Sequence, residues 1–129
     1  MKKTVLVLDA ERAAGQKICD LLAEECYSTV AVHSLADLKH RLQAESYLAV
    51  LMDIDSIHVD NRSIRNLVLE FPGTCILCMS KDRFHPELRD AICYHIYACI
   101  NKPVDPDELF YWLRSINENE SDEKDTSQA

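Results

Sequence analysis

Glycine occurs only twice in the 129 residues, at Gly15 and Gly73. That scarcity excludes a Walker loop, a Rossmann fingerprint and any other glycine-rich phosphate cradle, all of which need glycines at fixed spacing. Positive charge is short too: 14 lysines and arginines stand against 22 acids, a formal net charge of -8. Surfaces for nucleic acid or anionic membrane need clustered cations, so neither partner is expected. No run approaches the roughly 20 apolar residues of a membrane span. The apolar stretch after Met1-Lys2-Lys3 ends at Asp9, too short for a signal peptide, and a cytoplasmic location is the expectation. Metal-ligand spacing is lacking as well. Cys75-x-x-Cys78 resembles half a zinc site, but residues three apart in a strand point to opposite faces and no second Cys or His pair stands at matching spacing. The six cysteines read instead as small thiols of a reducing compartment.

What remains is an ordinary globular composition, 47% apolar and 28% charged, on a chain of one-domain length. Five short apolar runs stand out: Thr4–Leu8, Thr29–Val32, Leu48–Met52, Cys75–Met79 and Tyr97–Ile100. Most show no polar alternation, as a parallel strand covered on both faces requires. Between them the period turns helical. Ala14, Ile18, Leu21 and Leu22 form one stripe; Leu35, Leu38 and Leu42 form a second, with Ser34 and Asp37 placed as a capping box. Ile64, Leu67, Val68 and Phe71 make a third, closed by Pro72-Gly73; a weak fourth runs from near Pro86 to about Tyr94. The last opens with Asp105 as N-cap and Pro106 at N1, then carries Leu109, Trp112, Leu113 and Ile116. This alternation predicts a doubly wound α/β domain over residues 1–117. Residues 118–129 carry five acids and one lysine and are expected to be a disordered tail or linker.

In an open parallel sheet, chemistry collects at the carboxyl ends of the strands. The first run ends Leu8-Asp9-Ala10-Glu11, the third Met52-Asp53-Ile54-Asp55, the fourth Met79-Ser80-Lys81 and the fifth Ile100-Asn101-Lys102-Pro103. Each of these residues alone has a plain structural explanation: a cap, a strand end, a turn or a solvated charge. Together they gather carboxylates, a hydroxyl and an ammonium on one edge of the sheet. Carboxylates clustered there repel unless a divalent cation or the lysine joins them.

At these residues the chain resembles a response-regulator receiver domain, the phospho-acceptor module of two-component signalling. VLVLDAE at 5–11, YLAVLMD at 47–53, CILCMS at 75–80 and CINKPVDPDEL at 99–109 carry the resemblance, which covers about Lys3 to Ile116. It implies a flavodoxin-like fold: a five-stranded parallel sheet in the order 2-1-3-4-5 flanked by five helices. It implies that Asp53 accepts a phosphoryl group from a histidine kinase or phosphotransfer protein and that Asp9, Asp53 and the Asp55 carbonyl hold Mg²⁺. Lys102 would pair with Asp53 and then with the phosphoryl oxygens, and Ser80 would bind the phosphoryl group. Such a protein undergoes at most self-phosphorylation and autodephosphorylation, without turnover. It switches the binding of a downstream protein, and the resemblance leaves room for a homodimer.

The chain departs from the family pattern at several positions. Ala10 replaces the second of two adjacent acids and removes one metal ligand; Glu11 and Asp55 are the nearby acids. Lys81 replaces a small residue after Ser80. Cys99 stands where an aromatic switch residue is usual, with Tyr97 one pleat away. The loop after Asp53 lacks the usual proline and glycine, reading Ser56-Ile57-His58-Val59-Asp60. The alternative is therefore a degenerate receiver that binds a partner without phosphorylation. A flavin carrier on a similar sheet is disfavoured because Asp9 and Glu11 repel an unshielded phosphate. A haloacid-dehalogenase-like phosphatase expects an Asp where Glu11 stands.

Overall fold

A computed structural model describes residues 4–82 and 85–128, with side chains as far as Asn119. Five strands, β1 (Thr4–Leu8), β2 (Ser28–Val32), β3 (Ala49–Asp53), β4 (Cys75–Ser80) and β5 (Ala98–Asn101), pair in parallel in the order β2-β1-β3-β4-β5. Five helices connect or follow them: α1 (Arg12–Ala23), α2 (Leu35–Ala44), α3 (Asn61–Glu70), α4 (Arg89–Tyr94) and α5 (Pro106–Gln128). The expected fold class, strand order and helix count are all present. The five strand bounds lie within one residue of the apolar runs that announce them.

Period-two alternation divides the strands between two cores. Leu6, Leu8, Val50, Met52, Ile76 and Cys78 pack beneath Leu38, Leu42, Ile64, Leu67 and Ala91 of α2, α3 and α4. Val5, Val7, Ala49, Leu51, Leu77 and Met79 pack against Cys19 and Leu22 of α1 and Leu109, Leu113 and Ile116 of α5. Both faces of the sheet are thus covered, and every residue of β3 is buried. Cys75 joins the second cluster and Cys78 the first, so the two thiols of the C-x-x-C sequence face opposite layers.

Local chemistry sets the helix ends. Ser34 accepts from the Asp37 N–H at the start of α2, a cap of a kind that contributes about 1 kcal/mol. Asp60 accepts from Ser63 N–H at 2.8 Å and Ser63 Oγ at 2.9 Å at the start of α3. Asp105 accepts from Asp107 N–H at 3.0 Å ahead of α5. Phe71 O accepts from Thr74 N–H across Pro72-Gly73, with Gly73 at φ 94°, a type II turn that needs glycine at that place. The weak fourth stripe resolves into a 3-10 turn, Pro86–Leu88, and a six-residue α4. Helix α5 runs through Gln128, across the boundary expected at 117/118, and Ile116 is its last buried apolar residue among those whose side chains are described. Met1–Lys3 and Ala129 lie outside the described residues. Among the described residues no helix is long and apolar enough to cross a membrane.

Candidate functional site

Register alone brings the first two acids together. Leu8 of β1 pairs with Met52 of β3, so Asp9 follows the one strand as Asp53 ends the other. Adjacent strands are about 4.8 Å apart and the two residues share pleat parity, which leaves their carboxyls side by side. Both are buried, Asp9 at 2% and Asp53 at 3% exposure, and they are near enough for Asp53 to raise the Asp9 carboxyl. Ser80 ends β4 opposite Asn101 of β5, and Lys102 N–H donates to Ser80 O at 2.9 Å. The Lys102–Pro103 peptide is cis.

Lys102 is the cation of the site. Its Nζ lies 2.7 Å from Asp53 Oδ1 and 3.2 Å from Asp55 Oδ2. Burial works against its charge, but the two carboxylates outweigh burial and hold its pKa above the usual lysine value. Asp53 Oδ1 also accepts from Asp55 N–H at 3.0 Å. Asp9 is pushed the other way: burial, then the neighbouring Asp53 carboxyl, raise it above the usual carboxylate range. Bonds from Glu11 N–H and the Ser56 hydroxyl offset this only in part.

Asp55 does more than its backbone role implies. Its Oδ1 accepts from Ser80 Oγ at 2.8 Å, and its Oδ2 accepts from Lys81 N–H at 2.9 Å besides the Lys102 ammonium. Burial raises this carboxyl, but those three donors together hold it below the usual value. His85 Nε2 reaches both Ser80 Oγ at 2.8 Å and the Asp82 carbonyl at 3.0 Å. A carbonyl can only accept, so Nε2 carries its one proton and shares it between the Asp82 carbonyl and Ser80 Oγ, which in turn donates to Asp55. Such a chain of bonds polarises each member.

All five residues singled out for the site, Asp9, Asp53, Asp55, Ser80 and Lys102, therefore meet at one end of the sheet. Two further participants were not legible in the sequence. Ser56 Oγ accepts from Ala10 N–H and donates to Asp9 Oδ1, each at 3.0 Å, so a hydroxyl stands beside the position where the family has its second acid. His85 is the other. Only their polar type in a loop after a strand end could have marked either.

The donor set suits a magnesium ion modestly. Mg²⁺ keeps several waters and takes one or two carboxylates, which Asp9 and Asp53 would supply. Among the described residues no three acids, histidines or cysteines form a metal cluster, since Ala10 offers no carboxylate and that of Asp55 turns toward Ser80. Lys81 is exposed and enters the site through its backbone N–H. Tyr97 is tied to α5, its hydroxyl bonded to Ser115 Oγ at 2.8 Å and Asn119 Nδ2 at 2.9 Å, with its ring edge-on to Trp112. It does not stand in beside Ser80. Trp112 is half-buried between Tyr97 and Tyr111. A mostly apolar hollow of about 420 Å³ adjoins the acids, with Asp9, Ala14, Lys17, Ile18, Leu21, Met79 and Lys102–Val104 in its wall.

No family model matches this sequence, and no curated protein matches it. Solved structures do. A signal receiver domain of an HD domain-containing protein from Pseudomonas fluorescens superposes with a TM-score of 0.82 at 20% identity, over 96% of this chain and 93% of that one. A CheY-like response regulator receiver domain from Methanospirillum hungatei gives 0.81 at 18% identity, over 95% and 99%. NtrX from Brucella abortus gives 0.83 at 18% identity, covering 99% of this chain and 29% of its own. At such identities the likeness speaks for architecture, and the architecture of this chain is the receiver-domain fold.

Proposed function

We propose that this chain is a signalling receiver in which Asp53 accepts a phosphoryl group from a phosphohistidine, on a histidine kinase or a phosphotransfer protein. The observation that carries the reading is the convergence of Lys102 and Asp9 on a buried Asp53 at the end of the central strand. Phosphoryl transfer needs positioning and charge neutralisation more than covalent help. An Asp53 carboxylate oxygen attacks phosphorus, the phosphorus–nitrogen bond breaks, and the imidazole leaves. Lys102 then balances charge on the phosphoryl oxygens, and Ser80 Oγ and Lys81 N–H donate to them. Asp9, Asp53 and the Asp55 carbonyl would hold Mg²⁺, which when bound neutralises charge on the transferred group. The added charge, about -1.5 to -2, would redirect Ser80 and so change the surface offered to a downstream protein. We assign this role to the reducing cytoplasm, on the strength of six cysteines that form no disulfide among the described residues.

Acetyl phosphate with Mg²⁺ tests the reading directly. Intact mass should rise by one phosphoryl group in the wild type and stay unchanged in Asp53→Asn, and beryllofluoride should raise the melting temperature of the wild type alone. No adduct and no thermal shift would refute it.

One observation favours a second reading, a partner-binding module that works without phosphorylation. The Asp55 carboxylate already occupies Ser80 Oγ, Lys81 N–H and Lys102 Nζ, the donors a phosphoryl group would use. On this reading the internal carboxylate holds Ser80 inward permanently, and partner binding is the same in wild type and Asp53→Asn.

A further inference from the structure

Cys78 and Cys99 stand opposite each other in the parallel register of β4 and β5. The spacing of adjacent strands, about 4.8 Å, falls inside the roughly 4.4–6.8 Å that a disulfide spans between Cα atoms. The two thiols are close enough to shift one another's ionisation. The pair is unequal. Cys78 is fully buried, whereas Cys99 is exposed on the edge strand.

A cavity of about 290 Å³ opens onto Cys99, its wall formed by Ser80, Asp82, His85, Ile92, Ile100 and Asn101. A small polar reagent can therefore reach the sulfur from a space that already holds an imidazole. The neighbouring Cys78 thiol and the His85 imidazole favour the charged form, so that despite partial burial the Cys99 thiol is lowered to about 7. The same contact and its own burial push Cys78 up. At neutral pH Cys99 is substantially thiolate, the form in which a cysteine attacks, while Cys78 keeps its proton until it attacks the oxidised Cys99.

We propose that Cys99 is a modification site for hydroperoxides and that Cys78 is its resolving thiol. The Cys99 thiolate attacks the terminal peroxide oxygen; a sulfur–oxygen bond forms, the oxygen–oxygen bond breaks, and hydroxide leaves and is protonated to water. Cys78 sulfur then attacks Cys99 sulfur. The sulfur–sulfur bond forms, the sulfur–oxygen bond breaks, and the leaving hydroxide takes the Cys78 proton. Two thiols lose two electrons in all and one hydrogen peroxide becomes two waters. A dithiol reverses the bond by thiol–disulfide exchange.

Peptide mapping after a small excess of hydrogen peroxide tests this. The expected product has lost two hydrogens, with a Cys78–Cys99 cross-linked peptide that dithiothreitol removes. Cys26 and Cys93, exposed on other elements, are internal controls and should stay unmodified at that dose. Cys78→Ala should stop at the sulfenic acid, trapped by dimedone on Cys99. Should that core variant fold poorly, Cys99→Ser on the exposed edge is the second test, and it should abolish both products. Alkylation adds a rate. Its lowered thiol is more ionised at pH 7, so Cys99 should be alkylated faster there than a free cysteine peptide. Oxidation of Cys26 or Cys93 ahead of Cys99, a cross-link from Cys99 to any other cysteine, or an unchanged product in Cys99→Ser would overturn the proposal. None of these readouts involves Asp53, so a failure here leaves the phosphoryl reading untouched, and the reverse also holds.

Discussion

Replacing Asp55 by asparagine separates the two readings of the site most sharply. The wild-type carboxylate accepts from Ser80 Oγ, Lys81 N–H and Lys102 Nζ. Asparagine keeps one acceptor oxygen and turns an NH₂ toward the remaining donors, so at least one bond to an ionised group is lost and donor faces donor. Hydrogen bonds to a charged partner contribute about 1.5–3 kcal/mol each. The Asp55 side chain is 22% exposed, and solvent trims that range toward its lower end. The expected cost is about 2 kcal/mol, or roughly 6–10 °C in melting temperature for a domain of this size.

The sign with pH follows from the direction of the shift. Asp55 is held below 3.8 in the folded protein, so its contribution is fully present above pH 3.8 and disappears as pH falls through the folded value. Urea denaturation of both proteins should therefore show a constant gap from pH 5 to 7 that closes below about pH 4. Freed of its internal competitor, the variant should also bind beryllofluoride more tightly, by about tenfold for each 1.4 kcal/mol of displaced bonding. Equal stabilities at pH 6, or a gap that widens on acidification, would refute the role given to Asp55, as would beryllofluoride binding that weakens.

The remaining predictions address neighbouring features. Lys102→Met leaves a buried Asp53 unpaired and should destabilise by about 3 kcal/mol, near the low end for a broken buried pair, read by urea denaturation at pH 7. Asp9 is raised in the fold, so its ionised form opposes folding once pH rises through that value; Asp9→Asn should stabilise the protein at pH 7 and not at pH 3. Cys26 sits at φ 66° closing α1, where Tyr27 N–H reaches Leu22 O and Cys26 N–H reaches Ala23 O. Glycine is the usual residue there, and Cys26→Gly should raise stability by about 1 kcal/mol. Gly15 is interior to α1 and an added Cβ would meet Asp9 Cβ at an ordinary 3.4 Å, so Gly15→Ala should gain about 0.5–1 kcal/mol in thermal melts.

What the sequence made legible divides along physical lines. Strands covered on both faces have unbroken apolar runs, and a polar residue at the end of such a run can only emerge at the sheet edge; this is why Asp9, Asp53, Ser80 and Lys102 were identifiable. Asp55 was named for its carbonyl, but its side chain lies two residues past the strand, where pleat parity no longer predicts direction. His85 sits in an irregular stretch whose path depends on how β4 is left, and no periodicity reports that. Helix α4 was faint because six residues make fewer than two turns, too few for a stripe. The left-handed Cys26 was hidden because the residue type that would have signalled it is missing.

Charge balance at the site decides how these parts act together. Asp53 and Asp55 share one ammonium, and Asp9 lies against Asp53 with its carboxyl raised toward the neutral form. A phosphoryl group arriving with about two further negative charges cannot share the Ser80, Lys81 and Lys102 donors with the Asp55 carboxylate. One of them must give way. A divalent ion between Asp9 and Asp53 would favour the phosphoryl group by neutralising both acids, while its absence favours Asp55. The same donors thus serve two carboxylate-derived anions in competition, and the Ser80 hydroxyl turns from Asp55 to the phosphoryl group when the latter wins. On this account, the quantity that phosphorylation would change most is the placement of the released Asp55 side chain, two residues beyond the acceptor. A spectroscopic probe on the 54–58 loop should therefore respond to beryllofluoride more strongly than one on α4. Movement of α4 with a silent 54–58 loop would count against the competition.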